Sequence, residues 1–510
     1  MHRTIFLTVT IFLFHSLAFF SAGAQDAATG RSAVVLNPTD TETDIIRKAA
    51  TVVPAPRQLR WQQLELTGFF HFGVNTFTNR EWGDGKEDPR LFNPTELDAG
   101  QWVKAAKDAG IRQVILTAKH HDGFCLWPTA TTTHSVKSSP WKGGKGDVVK
   151  EVAEACRRYQ MGFGVYLSPW DRNSSVYGTD AYNDFFVQQL TELLTRYGRV
   201  DEVWFDGANG EGPNGKKQVY DFERWYKLIR QLQPGAVIAI MGPDVRWVGT
   251  ESGYGREQEW SVVPANNLDQ SAVAANSQRG IAFKPEGDMR GDDLGSRQQI
   301  LKAKGLVWYP AETDVSIRPG WFFHESENGK VKTPEKLLDI YFHSVGRNGV
   351  LLLNIPPDKR GLVHENDVRQ LKEWKQLRDE VFKTNLVKTA AIQASNGSRT
   401  GVLTDEKTGT DLATRAPDSV VTVNLSWKTP QTFSVLCLQE NIRKGQRIEQ
   451  FVLDYWDGKD WRKAAGGTTV GYKRLVQFEA VRASKVRLRI LSSRLNPCLA
   501  ELGLYNYTAK

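Results

Sequence analysis

A chain of 510 residues with 40% hydrophobic and 11% aromatic content can fill a large core but is too long for one compact layer, so a big domain and a smaller one are expected. The net charge of +8 comes from scattered lysines and arginines with no basic run or nucleic-acid motif, which argues for solubility and against a nucleic-acid partner. Four cysteines, Cys125, Cys156, Cys437 and Cys498, do not make a disulfide scaffold in a chain of this size. Free buried thiols are expected, with a Cys437–Cys498 pairing left open by spacing alone.

Residues 1–24 read as a secretory signal peptide: Arg3 near the start, an apolar run from Ile5 to Phe20, and the small triplet Ala22-Gly23-Ala24 before Gln25. The run is short for a bilayer span, so export to the periplasm or medium is expected rather than anchoring. Residues 25–55 are polar and read as a loosely held arm. Strand-like and helix-like segments then alternate: strands at 68–75, 113–121, 162–169, 201–206 and 236–242, with helices at 94–109 (capped by Asn93), 147–159, 181–197 and 222–232. Alternation of this kind is the signature of a parallel sheet wrapped by helices. The rhythm loosens through a polar insertion up to about Lys304, then resumes with strands at 306–310 and 349–355, and a helix at 368–381 closes the unit. Seven strands are defensible and an eighth is inferred, so residues 56–385 are expected to form an α/β domain, a (β/α)8-like barrel. Short alternating segments such as 420–425, 433–438, 451–455 and 485–490 predict a C-terminal β-sandwich over 386–510.

Asp206 is a lone carboxylate at the end of an apolar strand and before a Gly-rich turn, where a barrel presents reacting groups. A turn-forming Asp before Gly is the alternative. His71, His120, His121, Asp122, Tyr166 and Trp170 also fall at strand ends and would gather on the same face. Histidines suit zinc, but His120 and His121 are adjacent and on a strand would point to opposite sides, and no second ligand cluster appears, so no metal or other cofactor is expected. Two carboxyl groups flanking a glycosidic bond need no metal. Trp247, Trp260, Trp308 and Trp321, among 16 tryptophans, could stack on sugar rings or simply pack the core. Glu251 lies in a loop beside Glu257 and Glu259 and also reads as a solvated residue.

Phe70-His71-Phe72-Gly73, Glu81-Trp82, Lys119-His120-His121-Asp122-Gly123-Phe124 and Val203-Trp204-Phe205-Asp206-Gly207 resemble, in order, the motifs of α-L-fucosidases of glycoside hydrolase family 29. Residues 246–254 and 311–321 resemble its subgroup that prefers α-1,3/1,4-linked fucose on branched oligosaccharides. The resemblance spans about residues 60 to 380. It implies a retaining exo-fucosidase acting on Lewis-type glycans, with Asp206 as nucleophile and Glu251 as acid/base, their carboxyls about 5–5.5 Å apart. His71, His120, His121, Tyr166 and Trp204 match positions that hold fucose, Glu81 and Trp82 match in a loop-like stretch, and Trp321 is a candidate for the sugar's apolar face or the next unit. The C-terminal part resembles discoidin-like or carbohydrate-binding modules around 439–443 and 456–461, as a glycan-binding accessory or a packing buttress. A broad-specificity fucosidase and a catalytically silent glycan-binding protein are the competing readings.

Overall fold

The computed structural model describes residues 31–265, 293–414 and 419–507; the expected signal peptide and the start of the arm lie outside them. Eight strands form one sheet, in the order Val237–Ile240, Glu202–Phe205, Gly162–Leu167, Gln113–Lys119, Leu66–Phe70, Val350–Asn354, Ala311–Ser316 and Arg246–Trp247. Every neighbouring pair is parallel. The two end strands are consecutive in the chain, so the sheet nearly closes into a barrel.

Alternation along the strands separates two cores. Phe70, Leu116, Val165, Val203, Phe205 and Leu353 turn outward and pack in the layer shared with the helices. Phe69, Ile115, Tyr166, Trp204, Ala239 and Leu352 fill the barrel. The surrounding helices begin where a side chain caps the free N–H groups: Asp98 for Ala99–Asp108, Asp147 for Val148–Tyr159 and Asp221 for Phe222–Leu232. The first of these starts later than the expected 94–109. Its would-be first turn is tied elsewhere, with Glu96 N–H and Asp98 N–H donating to the carbonyls of Arg360 and Gly361.

The expected strand at 306–310 is not a barrel strand. Gly305–Trp308 pairs antiparallel with Ala33–Val35 and Val262–Ala265 in a separate three-stranded sheet. Pro310, which has no N–H to donate, separates it from the true barrel strand Ala311–Ser316. Residues 31–55 are likewise not a loose arm. Besides the Ala33–Val35 strand they form the helix Glu42–Ala49, opened by a capping box between Thr41 and Asp44. Leu36, Ala49 and Val52 are buried with Leu306 and Trp308.

From Ala391 onward an antiparallel sheet region follows the barrel, with its own core around Val423, Phe433, Phe451 and Leu488. The expected segments 420–425 and 433–438 are parts of one long strand, Val421–Glu440, whose register against Arg474–Ser493 shifts after Ser426 and Phe433. Such bulges bend a strand without ending it. All four cysteines are free and buried, Cys437 and Cys498 included. Among the described residues no helix is long and apolar enough to cross a membrane.

The short strand Arg246–Trp247 is anchored by a buried ion triad. Glu259 accepts from Arg246 and from Arg256, all three 1% exposed. Burial pushes the Glu259 carboxyl up, but the two guanidinium groups outweigh it and hold it below the ordinary carboxylate value. Its backbone carbonyl accepts from Asn348 and from Gln446 of the C-terminal region, at 3.1 and 3.0 Å. Glu259→Leu removes the carboxylate that both buried guanidinium groups bond. It should cost about 3–5 kcal/mol, read as a lower denaturant midpoint; an unchanged midpoint would contradict this account of the joint.

Candidate active site

The carboxyl ends of the barrel strands open into one cavity, lined by Phe69, His71, Glu81, Trp82, His120, His121, Tyr166, Trp204, Asp206, Glu251, Asp314 and Trp321. All ten residues that the resemblance assigned to catalysis or fucose binding lie in it, whereas Asp122 and Trp170, expected on the same face, do not line it: Asp122 is buried behind, accepting from Asn75 and the Phe124 N–H, and Trp170 packs against His121. Asp206 follows the strand Glu202–Phe205 directly. One carboxylate oxygen accepts from the Ala208 N–H at 2.7 Å, the other from the Tyr166 hydroxyl at 3.1 Å. The His121 Nε2 is 3.9 Å from the latter oxygen. Tyr166 is sandwiched between Trp204 (5.2 Å between ring centres, 22°) and His120 (5.6 Å, 11°).

The three imidazoles are neutral donors and acceptors rather than cations. Burial is the main cause that lowers each: His71 to about 3 despite its bond to Asn354, His120 well below its ordinary value, and His121 against the opposing pull of Asp206. The tautomers of His71 and His121 are fixed from behind. The Asn354 amide donates to Ser316 Oγ and to the Trp321 carbonyl, so its oxygen faces His71 and takes the Nδ1 proton at 2.8 Å. Ser168 donates to the Trp170 carbonyl and therefore accepts from His121 Nδ1 at 2.7 Å. His120 Nδ1 is buried with no protein partner. The adjacent His120 and His121 do not point to opposite sides as a strand would require. The strand ends at Lys119, the chain turns, and both rings enter the cavity 4.2 Å apart.

Glu251 sits exposed at the rim, where Oε2 accepts from Trp321 Nε1 at 3.1 Å. Packing around the carboxyl raises its pKa, the Trp321 bond opposes this, and the negative charges of Asp206 and Glu81 add to the rise. Its loop companions are committed elsewhere: Glu257 pairs with Arg347 and Arg474, and Glu259 with the buried arginines. Glu81 organises the facing loop, accepting from the backbone N–H groups of Trp321 and Phe322 at 2.8 and 3.2 Å and meeting the His324 ring at 2.6 Å. Trp82 is 56% exposed and stands edge-on to His121 and Trp170.

Sequence reasoning left two lining residues without a role, Phe69 and Asp314. Asp314 is buried on the inner face of Ala311–Ser316 and accepts from Trp247 Nε1 at 2.7 Å. Burial first, then the charge of Glu251, raises its pKa well above the ordinary value. The alternation of Glu312 and Asp314 could have revealed it, had 311–316 been read as a strand. Of the four tryptophans considered for sugar stacking, Trp321 lines the cavity and Trp247 supports it. Trp260 lies under the Arg494 guanidinium and Trp308 donates to Gln62, both as buried packing. Among the described residues no three His, Cys, Asp or Glu side chains are placed to hold a metal ion.

A parallel barrel whose mouth gathers acidic side chains with neutral imidazoles and indoles is the architecture of a glycoside hydrolase. The chain belongs to the α-L-fucosidase family, glycoside hydrolase family 29, whose members are retaining enzymes: the family model described as Alpha-L-fucosidase matches residues 57–377. Alpha-L-fucosidase 1 of Arabidopsis thaliana is 44% identical over 465 residues, covering 89% of this chain and 87% of its own. Among solved structures, a Bacteroides ovatus protein is 51% identical with a TM-score of 0.82, covering 94% of this chain and 79% of its own. A Ruminococcus gnavus family 29 fucosidase in complex with fucose is 31% identical with a TM-score of 0.80, at 89% and 95% coverage.

A depressed histidine pKa makes stability fall on acidification. The His71 contribution is complete above the ordinary value of 6.5 and is lost as pH falls from there towards about 3. His71→Gln keeps a donor for Asn354 but cannot take up a proton. Its melting temperature should fall less than that of the wild type from about pH 7 to about pH 4; parallel curves would contradict the buried neutral imidazole.

Proposed function

We propose that this α-L-fucosidase is an exported exo-enzyme that releases fucose from α-1,3/1,4-fucosylated oligosaccharides such as Lewis-type glycans, with Asp206 as nucleophile and Glu251 as acid/base. The observation that carries the roles is the contrast between the two carboxyls. Asp206 is held by a donor on each oxygen at the floor of the cavity, whereas the environment of Glu251 raises its pKa and favours the protonated form needed by an acid.

In the first step an Asp206 oxygen bonds to the anomeric carbon of fucose while the glycosidic C–O bond breaks, and Glu251 gives its proton to the departing oxygen. In the second, the ionised Glu251 takes a proton from water, whose oxygen displaces Asp206 and restores the carboxylate. Two inversions give net retention. His71, His120, His121, Tyr166, Glu81 and Trp204 supply hydrogen bonds and apolar surface for the sugar, and Trp82 and Trp321 offer indole faces at the rim. The linkage preference is supported by the resemblance of residues 246–254 and 311–321, which contribute Glu251, Asp314 and Trp321 to the cavity. Export is supported by the composition of residues 1–24.

On a Lewis-type trisaccharide, Asp206→Ala and Glu251→Ala should each lower kcat by about 10³-fold or more. Azide should partly restore Glu251→Ala on an activated aryl fucoside, because that leaving group needs no acid and azide, unlike water, needs no base to displace Asp206. Unchanged turnover in Asp206→Ala would end the assignment, and an aryl fucoside hydrolysed while the trisaccharide is ignored would end the linkage proposal.

The raised Glu251 pKa places the alkaline limb of kcat/KM above the ordinary carboxylate value of 4.5. Trp321→Phe removes a bond that lowers this pKa, so the limb should move to still higher pH in initial-rate profiles. A shift to lower pH would contradict the role given to Glu251.

A further inference from the structure

Beneath the cavity the barrel interior holds two glutamates that the reaction does not use. Glu202 and Glu312 are both 0% exposed. Glu202 Oε2 accepts from Trp61 Nε1 at 3.1 Å and Gln113 Nε2 at 2.6 Å, and Glu312 Oε1 accepts from Trp204 Nε1 at 2.7 Å. The other two oxygens, Glu202 Oε1 and Glu312 Oε2, are buried with no donor among the described residues, and the two carboxyls are close enough to act on each other's pKa. Gly164, paired with Glu202 on the next strand, keeps the space open, since a Cβ there would lie 3.2 Å from that of Glu202.

Two acceptors facing each other in a dry interior need a proton between them, because two ionised carboxylates there would repel and be desolvated without compensation. We propose that Glu202 and Glu312 share one proton and act as positioning residues, holding the Trp204 indole and, through the stacked Tyr166, the Asp206 carboxylate. The proposal rests on the reading of Asp206 as nucleophile. Burial raises both glutamates above the ordinary range, so the proton belongs to the pair. The charges facing them are Asp201, at the foot of the Glu202 strand, and Asp314, two residues beyond Glu312; Trp61 and Gln113 face them as neutral donors.

Glutamine can replace either partner, because its amide donates where the shared proton stood. Glu202→Gln and Glu312→Gln should keep kcat on an aryl fucoside within about threefold. The double variant sets two NH2 groups against each other and should lose about 30-fold in kcat or a correspondingly large part of its melting temperature. Glu312→Leu removes the acceptor for Trp204 and should lower kcat about tenfold or more, with Glu312→Gln the rescue. Raised carboxyls contribute stability that is full below 4.5 and lost as pH rises through about 8. The wild-type melting temperature should therefore decline over that window and each single Gln variant should decline less. A double variant as good as the singles, or singles declining in parallel with wild type, would overturn the shared proton; full kcat in Glu312→Leu would overturn the positioning role. Asp206→Ala serves as the separate control. If it stays active the nucleophile reading fails, while the unfolding curves still decide whether the proton is shared.

Discussion

The strand Glu202–Phe205 imposes the constraint on which the site depends. With a period of two, Glu202, Trp204 and Asp206 share the inward direction, so one extended segment carries a buried carboxyl, an indole and the cavity carboxylate in successive layers. The outward residues Val203 and Phe205 are fully buried under the helices. A slip of one residue would turn them into the barrel, put Glu202 and Trp204 under the helices and remove Asp206 from the cavity, so the same packing that stabilises the barrel sets the position of the reacting oxygen.

Around that oxygen the protein builds polarity without positive charge. The imidazoles of His71, His120 and His121 are kept neutral by burial, and their outer nitrogens are occupied by Asn354 and Ser168 in the first and third cases. Neutral rings can donate to and accept from sugar hydroxyls, and they do not pair off the charge of Asp206 as a cation would. Glu251 is placed differently, at the rim and bound by a single indole N–H. Two carboxyls of the same chemistry are thereby given unlike environments, which is how one site holds a nucleophile and an acid together.

Much of this was legible in the sequence. The apolar run into Asp206 and the Lys119–Phe124 segment pointed to strand ends, and the resemblance carried by those motifs placed Glu81, Trp82, Glu251 and Trp321 beside them although they lie on loops. The strand Ala311–Ser316 was not legible, because its inward positions are Glu312 and Asp314 and a polar interior hides the apolar pattern on which strand reading relies. Arg246–Trp247 is too short to show a period. His120 and His121 depart from expectation for the opposite reason: a strand pattern carried past Lys119 meets a backbone that has already turned. The arm at 31–55 looked loose because its few apolar residues are meaningful only against Leu306 and Trp308, far away in sequence.

The central claim is that the carboxylate of Asp206 bonds to the anomeric carbon. A fucosyl donor with fluorine at C2 and an activated leaving group forms the glycosyl-enzyme but hydrolyses it slowly, so peptide mapping by mass spectrometry reads the attachment point directly. The account predicts one fucosyl group per chain on the peptide containing Asp206, absent in Asp206→Ala. A label on Glu251, Asp314 or any other carboxyl, with Asp206 unmodified, would contradict it.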